Sequence, residues 1–290
     1  MFPGQGSQIK GMGSGLFDKY KEYVKIADDI LGYSIENLCT NNPDGNLDKT
    51  QYTQPALFIV NALEYLEKSL HDGEPDYVAG HSLGEYNALF AAKVFDFATG
   101  IRLVKKRGEL MSKPNNGCMA AIIGLDEMQI VNLIEENHLD YIYIANYNSP
   151  SQIVVSGTNE SIQKAQKYFE ESGATAYMIL NVSGAFHSIY MEESKKEFDL
   201  YLNSFDLMEP RKSVIANLTA RPYIKSELKS TLVNQITNPV CWTDSMLYLM
   251  KLGIDIVQVG PGKTLTGLTR QIKRALESNT QLLNAIEIEQ

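Results

Sequence analysis

The 290-residue sequence predicts an α/β fold with a mostly parallel central sheet and a small second unit inserted into the larger one. Three observations predict it. Short apolar runs at 77–79, 213–217 and 254–259 are separated by long stretches whose apolar residues recur at helical spacing. Residues 117–181 switch to a β-α-β-β-α-β order over about sixty residues, the ferredoxin-like pattern. The hydrophobic fraction, 44%, is enough to bury a large core.

In order along the chain, 15–38 and 54–70 read as helices. In the second, Leu57, Val60, Leu63, Leu66 and Leu70 form a core-facing stripe. Tyr77–Ala79 reads as a strand, a tight glycine turn follows, and a helix runs from near Leu83 to Ala92. Asp96 is placed to cap the next helix. The chain breaks around Asn115, Asn116 and Gly117. Strands at 118–123, 141–146, 151–157 and 175–180 then alternate with helices at 126–137 and 159–172. The larger unit resumes at Val182 and ends in a helix from about residue 264. The expected division is 1–116 with 182–290 as the large part, and 117–181 as the insert.

Composition excludes several classes. No apolar run approaches the length of a membrane span, and the N-terminus has no basic segment followed by an apolar one. Cys39, Cys118 and Cys241 are scattered and lack C-x-x-C spacing, which argues against a disulfide framework and a zinc site. The net charge of −9 disfavours nucleic acid as a main partner. A cytoplasmic protein without a membrane partner is expected.

Chemistry enters at "AGHSLGEYNA", residues 79–88, which sets Ser82 in a G-x-S-x-G frame between a strand and a helix. That context is a nucleophile elbow: the turn is strained and leaves no room for a Cβ beside the serine. The Ser82 hydroxyl then sits at a helix N-terminus, where the N–H of Leu83 is the obvious donor to a developing oxyanion. A serine needs a base, and there are four histidines. His81 adjoins Ser82, but neighbours in a tight elbow point apart. His71 lies in a polar turn and His138 ends a helix of the insert. That leaves His187, in "NVSGAFHSIYM", with a satisfied core histidine as the plain alternative.

With "FPGQGSQ" at 2–8, "GHSLGEY" at 80–86, "FHS" at 186–188 and "VGPGKTLTGL" at 259–268, the chain resembles the malonyl-CoA:acyl carrier protein transacylases. "TQYTQPALF", "LVKKRGELM" and "ANYNSPSQIVVSG" make it most similar to the discrete, trans-acting acyltransferases of modular polyketide synthases. The resemblance implies an α/β-hydrolase-like large domain with a ferredoxin-like insert. It also implies a ping-pong transfer of malonyl from malonyl-CoA, through a malonyl-Ser82 ester, to the phosphopantetheine thiol of an acyl carrier protein. No metal or other cofactor is implied, and a monomer is expected. The numbered chain begins at Met1, directly on the motif that follows a short strand in relatives.

Carried over residue by residue, the resemblance makes Ser82 the nucleophile, His187 its base, and Gln5 with Leu83 the oxyanion hole. The main-chain carbonyl of Gln235, rather than a carboxylate, would orient the histidine. Arg107, 25 residues after Ser82, would hold the free carboxylate of malonate. Its plain alternative is a surface arginine in a basic run with Lys105 and Lys106. Phe186 would fill the space that an α-methyl branch needs, favouring malonyl over methylmalonyl, unless it is only a core ring. Arg270, Lys273 and Arg274 lie on neighbouring turns of the last helix and would face an acidic carrier protein, or form an ordinary solvated face. An acyl-thioester hydrolase and a non-catalytic docking protein are the competing readings. "GPGKT" at 260–264 is not a phosphate loop, because the leading glycine is replaced by Val257.

Overall fold

The computed structural model describes residues 1–114 and 116–278. Asn115, at the expected chain break, and the end of the predicted large part beyond residue 278 lie outside the described residues.

Two sheets organise the α/β fold. In the first, β1 (Tyr77–Ala79) pairs in parallel with β6 (Ser213–Ile215), Tyr77 opposite Ser213. Phe2 extends it with a parallel bridge to Gly80: its N–H donates to the Ala79 carbonyl at 2.9 Å, and its carbonyl accepts from His81 N–H at 3.0 Å. The second sheet is antiparallel, with β2 (Gly117–Ile123), β3 (Ile142–Ser149), β4 (Gln152–Thr158) and β5 (Ala176–Ile179) in the order β3-β4-β2-β5. Helices Glu127–Glu136 and Asn159–Glu171 complete the βαββαβ order. Ile122, Ile130, Val155, Ile162 and Phe169 form a separate core between them and the sheet.

The two sheets meet close to the elbow. Tyr147 N–H donates to the Val240 carbonyl at 3.0 Å, and Val240 N–H returns a bond to the Ala145 carbonyl at 2.9 Å. The His81 ring is joined to the Asn148 side chain at 2.8 Å.

Several expected boundaries move for local reasons. The helix expected over 15–38 is three pieces, Leu16–Lys19, Lys21–Leu31 and Ile35–Thr40. Gly32, at φ 83°, ends the second piece, and the Ser34 side chain caps the third by accepting from Asn37 N–H. The next helix begins at Thr50 and runs to Asp72. Residues 254–259, expected as a strand, belong to neither sheet. Their bonds to the chain start are Met1 amino to the Val257 carbonyl, 2.7 Å, and Val259 N–H to the Met1 carbonyl, 2.9 Å. The strand expected at 213–217 stops at Ile215, because Asn217 N–H leaves the ladder to donate to the Glu85 carboxylate.

Candidate active site

Ser82 occupies the turn between β1 and the helix Gly84–Ala91, at φ 48°. A non-glycine residue in this left-handed region costs free energy and persists only where its surroundings hold it. The flanking glycines are dictated by close approach. A Cβ on Gly80 would lie 1.9 Å from the backbone of Gly84, and one on Gly84 would lie 2.1 Å from the Phe2 carbonyl oxygen. Asn217 fastens both sides of the turn: its Oδ1 accepts from Ser82 N–H at 2.7 Å, and its Nδ2 donates to the Gly80 carbonyl at 2.6 Å.

The Ser82 hydroxyl stands 2.8 Å from His187 Nε2. His187 is buried and also left-handed, at φ 57°. Its Nδ1 faces two main-chain carbonyls, Gln235 at 2.8 Å and Asn238 at 3.2 Å. Both are acceptors, so Nδ1 carries the proton and Nε2 presents a lone pair to the serine hydroxyl. Burial, and then the nearby Arg107 cation, push the imidazole pKa down to about 3, which keeps it neutral.

Arg107 is 1% exposed, so it is no surface residue of the basic run. It projects from the helix Phe97–Met111, whose start Asp96 caps through Thr99 N–H. Nη1 donates to Gln54 Oε1 at 2.9 Å; Nη2 donates to Gln235 Oε1 at 2.8 Å and to Ser82 Oγ at 3.2 Å. The guanidinium lies over the Tyr86 ring, 5.5 Å from its centroid. Lys105 and Lys106 turn elsewhere, to the Ile30 carbonyl and the Tyr201 ring.

Gln5 lies in a loop packed directly on the elbow, since a Cβ on Gly4 would lie 2.4 Å from the His81 carbonyl oxygen. Its side chain donates to Thr50 Oγ1 at 3.1 Å. The main-chain N–H groups of Gln5 and Leu83 donate to no acceptor among the described residues. Phe186 is buried in the main core next to Gly184. Arg270, Lys273 and Arg274 are exposed on the helix Thr264–Ser278, whose opposite side buries Leu265, Leu268 and Ile272. His71 is exposed beside Glu67, while His81 packs against the Trp242 ring. Neither these two histidines nor His138 approaches the serine hydroxyl.

The model of the acyl transferase domain family matches residues 1–279. The chain belongs to this family. The Bacillus subtilis polyketide biosynthesis malonyl CoA-acyl carrier protein transacylase PksC is 55% identical over 282 residues, covering 96% of this chain and 98% of its own length. Among solved structures, the malonyl CoA-acyl carrier protein transacylase of Burkholderia pseudomallei superposes with a TM-score of 0.92 at 46% identity, covering 94% of this chain and 97% of that one. A malonyl-transacylase in complex with its type II PKS acyl-carrier protein superposes with a TM-score of 0.89 at 34% identity, covering 94% and 92%.

The candidate site also contains residues that sequence reasoning missed. Glu85 is fully buried and accepts from Asn217 N–H and the Tyr223 hydroxyl, each at 2.8 Å, and from the Gln235 amide. Burial pushes its carboxyl up to about 7. Asn217, Gln54 and Asn238 were likewise unremarked. The available signal was polarity out of place: Gln54 interrupts a buried helix face, Glu85 stands in the first turn of a buried helix, and Asn217 follows an apolar strand.

Proposed function

We propose that the protein transfers malonyl from malonyl-CoA to the phosphopantetheine thiol of an acyl carrier protein, supplying extender units to a polyketide synthase. The observation that carries this reading is one oxygen between two groups: Ser82 Oγ lies 2.8 Å from the base His187 Nε2 and 3.2 Å from the cation Arg107 Nη2. A nucleophile beside a base suits any acyl transfer. A buried guanidinium beside the nucleophile suits an acyl group with a second, charged end.

In the first half-reaction His187 Nε2 takes the Ser82 proton as Oγ bonds to the malonyl carbonyl carbon. The developing oxyanion is received by the free N–H groups at Gln5 and Leu83. The C–S bond breaks, and the proton passes from His187 to the CoA sulfur. In the second half, the pantetheine thiol gives its proton to His187 and attacks the malonyl-serine ester, and Ser82 recovers the proton as it leaves. The Gln235 and Asn238 carbonyls fix the tautomer throughout; neutral partners stabilise the imidazolium less than a carboxylate would. No step calls for a cofactor, since CoA and pantetheine arrive with the substrates. Phe186 is read as the limit on α-branching, and a single methyl is worth about 1–3 kcal/mol of selectivity.

The reading takes 117–181 as a unit inserted between 1–116 and 182–290, and the protein as a monomer that docks its carrier through Arg270, Lys273 and Arg274. No described helix is long and apolar enough to cross a membrane. Intact-protein mass after brief mixing with malonyl-CoA tests the chemistry. A malonyl adduct that requires Ser82 and passes to added carrier protein is expected. Free malonate accumulating without carrier transfer means a hydrolase.

A further inference from the structure

Among the described residues, two side chains of the Lys, Arg, Asp and Glu types are fully buried: Arg107 at 1% exposure and Glu85 at 0%. Opposite charges buried in one site usually meet. These two do not, because the side-chain amide of Gln235 stands between them. Its Oε1 accepts from Arg107 Nη2 at 2.8 Å, while its Nε2 donates to the Glu85 carboxylate and to the Ser82 main-chain carbonyl, the latter at 2.8 Å. A guanidinium can only donate and a main-chain carbonyl can only accept, so the amide has one permitted orientation.

The separation has a chemical consequence. An arginine paired directly with a carboxylate tends to bond through two parallel N–H groups, which would occupy the fork that a substrate carboxylate needs. Here three of the five guanidinium N–H groups are committed, all to neutral oxygens: Gln54, Gln235 and Ser82. Arg107 Nε is itself buried and has no hydrogen-bond partner among the described residues. Glu85 therefore lies one amide away from the buried cation without filling its donor sites. The same residue also holds the base, since the Gln235 main-chain carbonyl accepts from His187 Nδ1 at 2.8 Å. One side chain and its own backbone thus set the cation and the base in a common frame around Ser82.

We propose that the Gln235 side chain, locked in orientation by Glu85, is a positioning residue for substrate selection: it holds the Arg107 guanidinium beside Ser82 with N–H groups left open for the malonyl carboxylate. This inference rests on the reading that Arg107 receives that carboxylate. Glu85 and Gln235 touch no substrate atom in this account. Their action on Arg107 is read in the selection between charged and uncharged acyl groups.

The experiment is single-turnover acylation of the full chain by malonyl-CoA and by acetyl-CoA, measured for the wild type, Arg107→Ala, Gln235→Met and Glu85→Gln. Gln235→Met keeps the backbone carbonyl that anchors His187 and much of the side-chain volume, removing only the amide. It is expected to lower the malonyl-to-acetyl ratio of second-order acylation constants by about tenfold to a hundredfold, mostly through weaker malonyl-CoA binding, as for one lost charge-assisted contact. The ratio, and not the acetylation rate, carries the prediction, because the Gln235 amide also donates to the Ser82 main-chain carbonyl. Glu85→Gln keeps an acceptor for the amide and should retain part of the ratio. Equal losses of malonyl and acetyl transfer in Gln235→Met would overturn the inference, assigning the amide to the base or to the fold alone. So would an unchanged ratio in Gln235→Met while Arg107→Ala loses it, although the carboxylate-binding reading would then stand. An unchanged ratio in Arg107→Ala removes that reading and the inference with it.

Discussion

The turn that carries Ser82 and the antiparallel sheet β2–β5 are built on opposite terms. The sheet is regular: β2 pairs with β4 over seven residues in unbroken register, the Asp126 capping box closes one helix start, and Phe169 stacks on Tyr177 in a dry core. The turn is irregular. Ser82 and His187 both hold positive φ, the two buried charges Arg107 and Glu85 lie beside them, and two N–H groups have no acceptor among the described residues. Strain and unmet hydrogen-bonding capacity collect at the turn proposed to carry the reaction, and the surrounding regular structure holds them there. The contrast predicts that changes at the turn alter chemistry out of proportion to stability, and that changes in the sheet do the reverse.

The largest expected effect is at the nucleophile. Ser82→Ala removes Oγ while leaving the backbone clamps from Asn217 to Ser82 N–H and to the Gly80 carbonyl in place. Steady-state transfer should fall by about 10⁴-fold or more, with the melting temperature near that of the wild type. A coupled CoA-release assay and a thermal melt decide it. A large loss of stability would mean that the hydroxyl helps to hold the turn, and the division of labour would fail.

Next in size is the cation. Arg107→Ala should cost about a hundredfold or more of malonyl-over-acetyl preference, because a buried carboxylate then lacks its partner. The substitution should also move a titration. His187 is held down first by burial and second by the Arg107 charge, to about 3. The base works only when neutral, so acylation should show no loss near the ordinary histidine pKa of about 6.5 and should decline only towards strongly acid pH. Removing a nearby positive charge favours the imidazolium, so in Arg107→Ala the decline should move to higher pH. Single-turnover acylation by acetyl-CoA from pH 4 upward separates the two profiles. Identical profiles would show that burial alone sets the base.

Stability should respond to the same groups with the opposite emphasis. An unfolded His187 takes its proton near pH 6.5 and the native one only near 3, so this residue weakens the fold as pH drops through that window. Glu85, raised to about 7, binds its proton first in the native state and offsets part of that loss between about pH 7 and 4.5. The offset should disappear in Glu85→Gln, visible as a steeper acid decline in denaturant midpoints.

Legibility in the sequence followed the same divide. The strands and helices of the antiparallel βαββαβ region are regular enough for periodicity to place them: β2 was expected over 118–123 and spans 117–123, and the second helix was expected over 159–172 and spans 159–171. The G-x-S-x-G turn was legible because steric demand leaves few residues to choose from. The resemblance supplied Arg107, Gln5 and the Gln235 carbonyl; the structure sets Arg107 and that carbonyl within hydrogen-bond distance of Ser82 and His187 respectively. The polar network was illegible. Glu85, Asn217 and Gln235 are 132, 18 and 150 residues apart by pairs, and their contacts follow from the way the chain folds back. A lone Glu or Asn carries no local period that would announce a buried partner. The segment 254–259 misled for the converse reason: its apolar pattern is strand-like, but a strand is assigned by pairing, which depends on neighbours far away in the chain.

The smallest expected effect on transfer lies in the core behind the antiparallel sheet, and it is the sharpest test of the contrast. Phe169 is fully buried between the helix Asn159–Glu171 and the sheet, stacked on Tyr177 at 5.8 Å between centroids. Phe169→Ala should destabilise the protein by about 3–5 kcal/mol, because the cavity adds to the lost transfer free energy. Yet the hydrogen bonds that tie this sheet to the elbow region, Tyr147 N–H to the Val240 carbonyl and Asn148 to His81, are made by β3, and Phe169 takes part in neither. Acylation per folded molecule, measured well below the melting transition, should therefore stay within about twofold of wild type, as for distant sites that share no partner. A loss of rate equal to that in Arg107→Ala would mean that the sheet transmits its packing to the turn through β3, and the two regions would have to be treated as one.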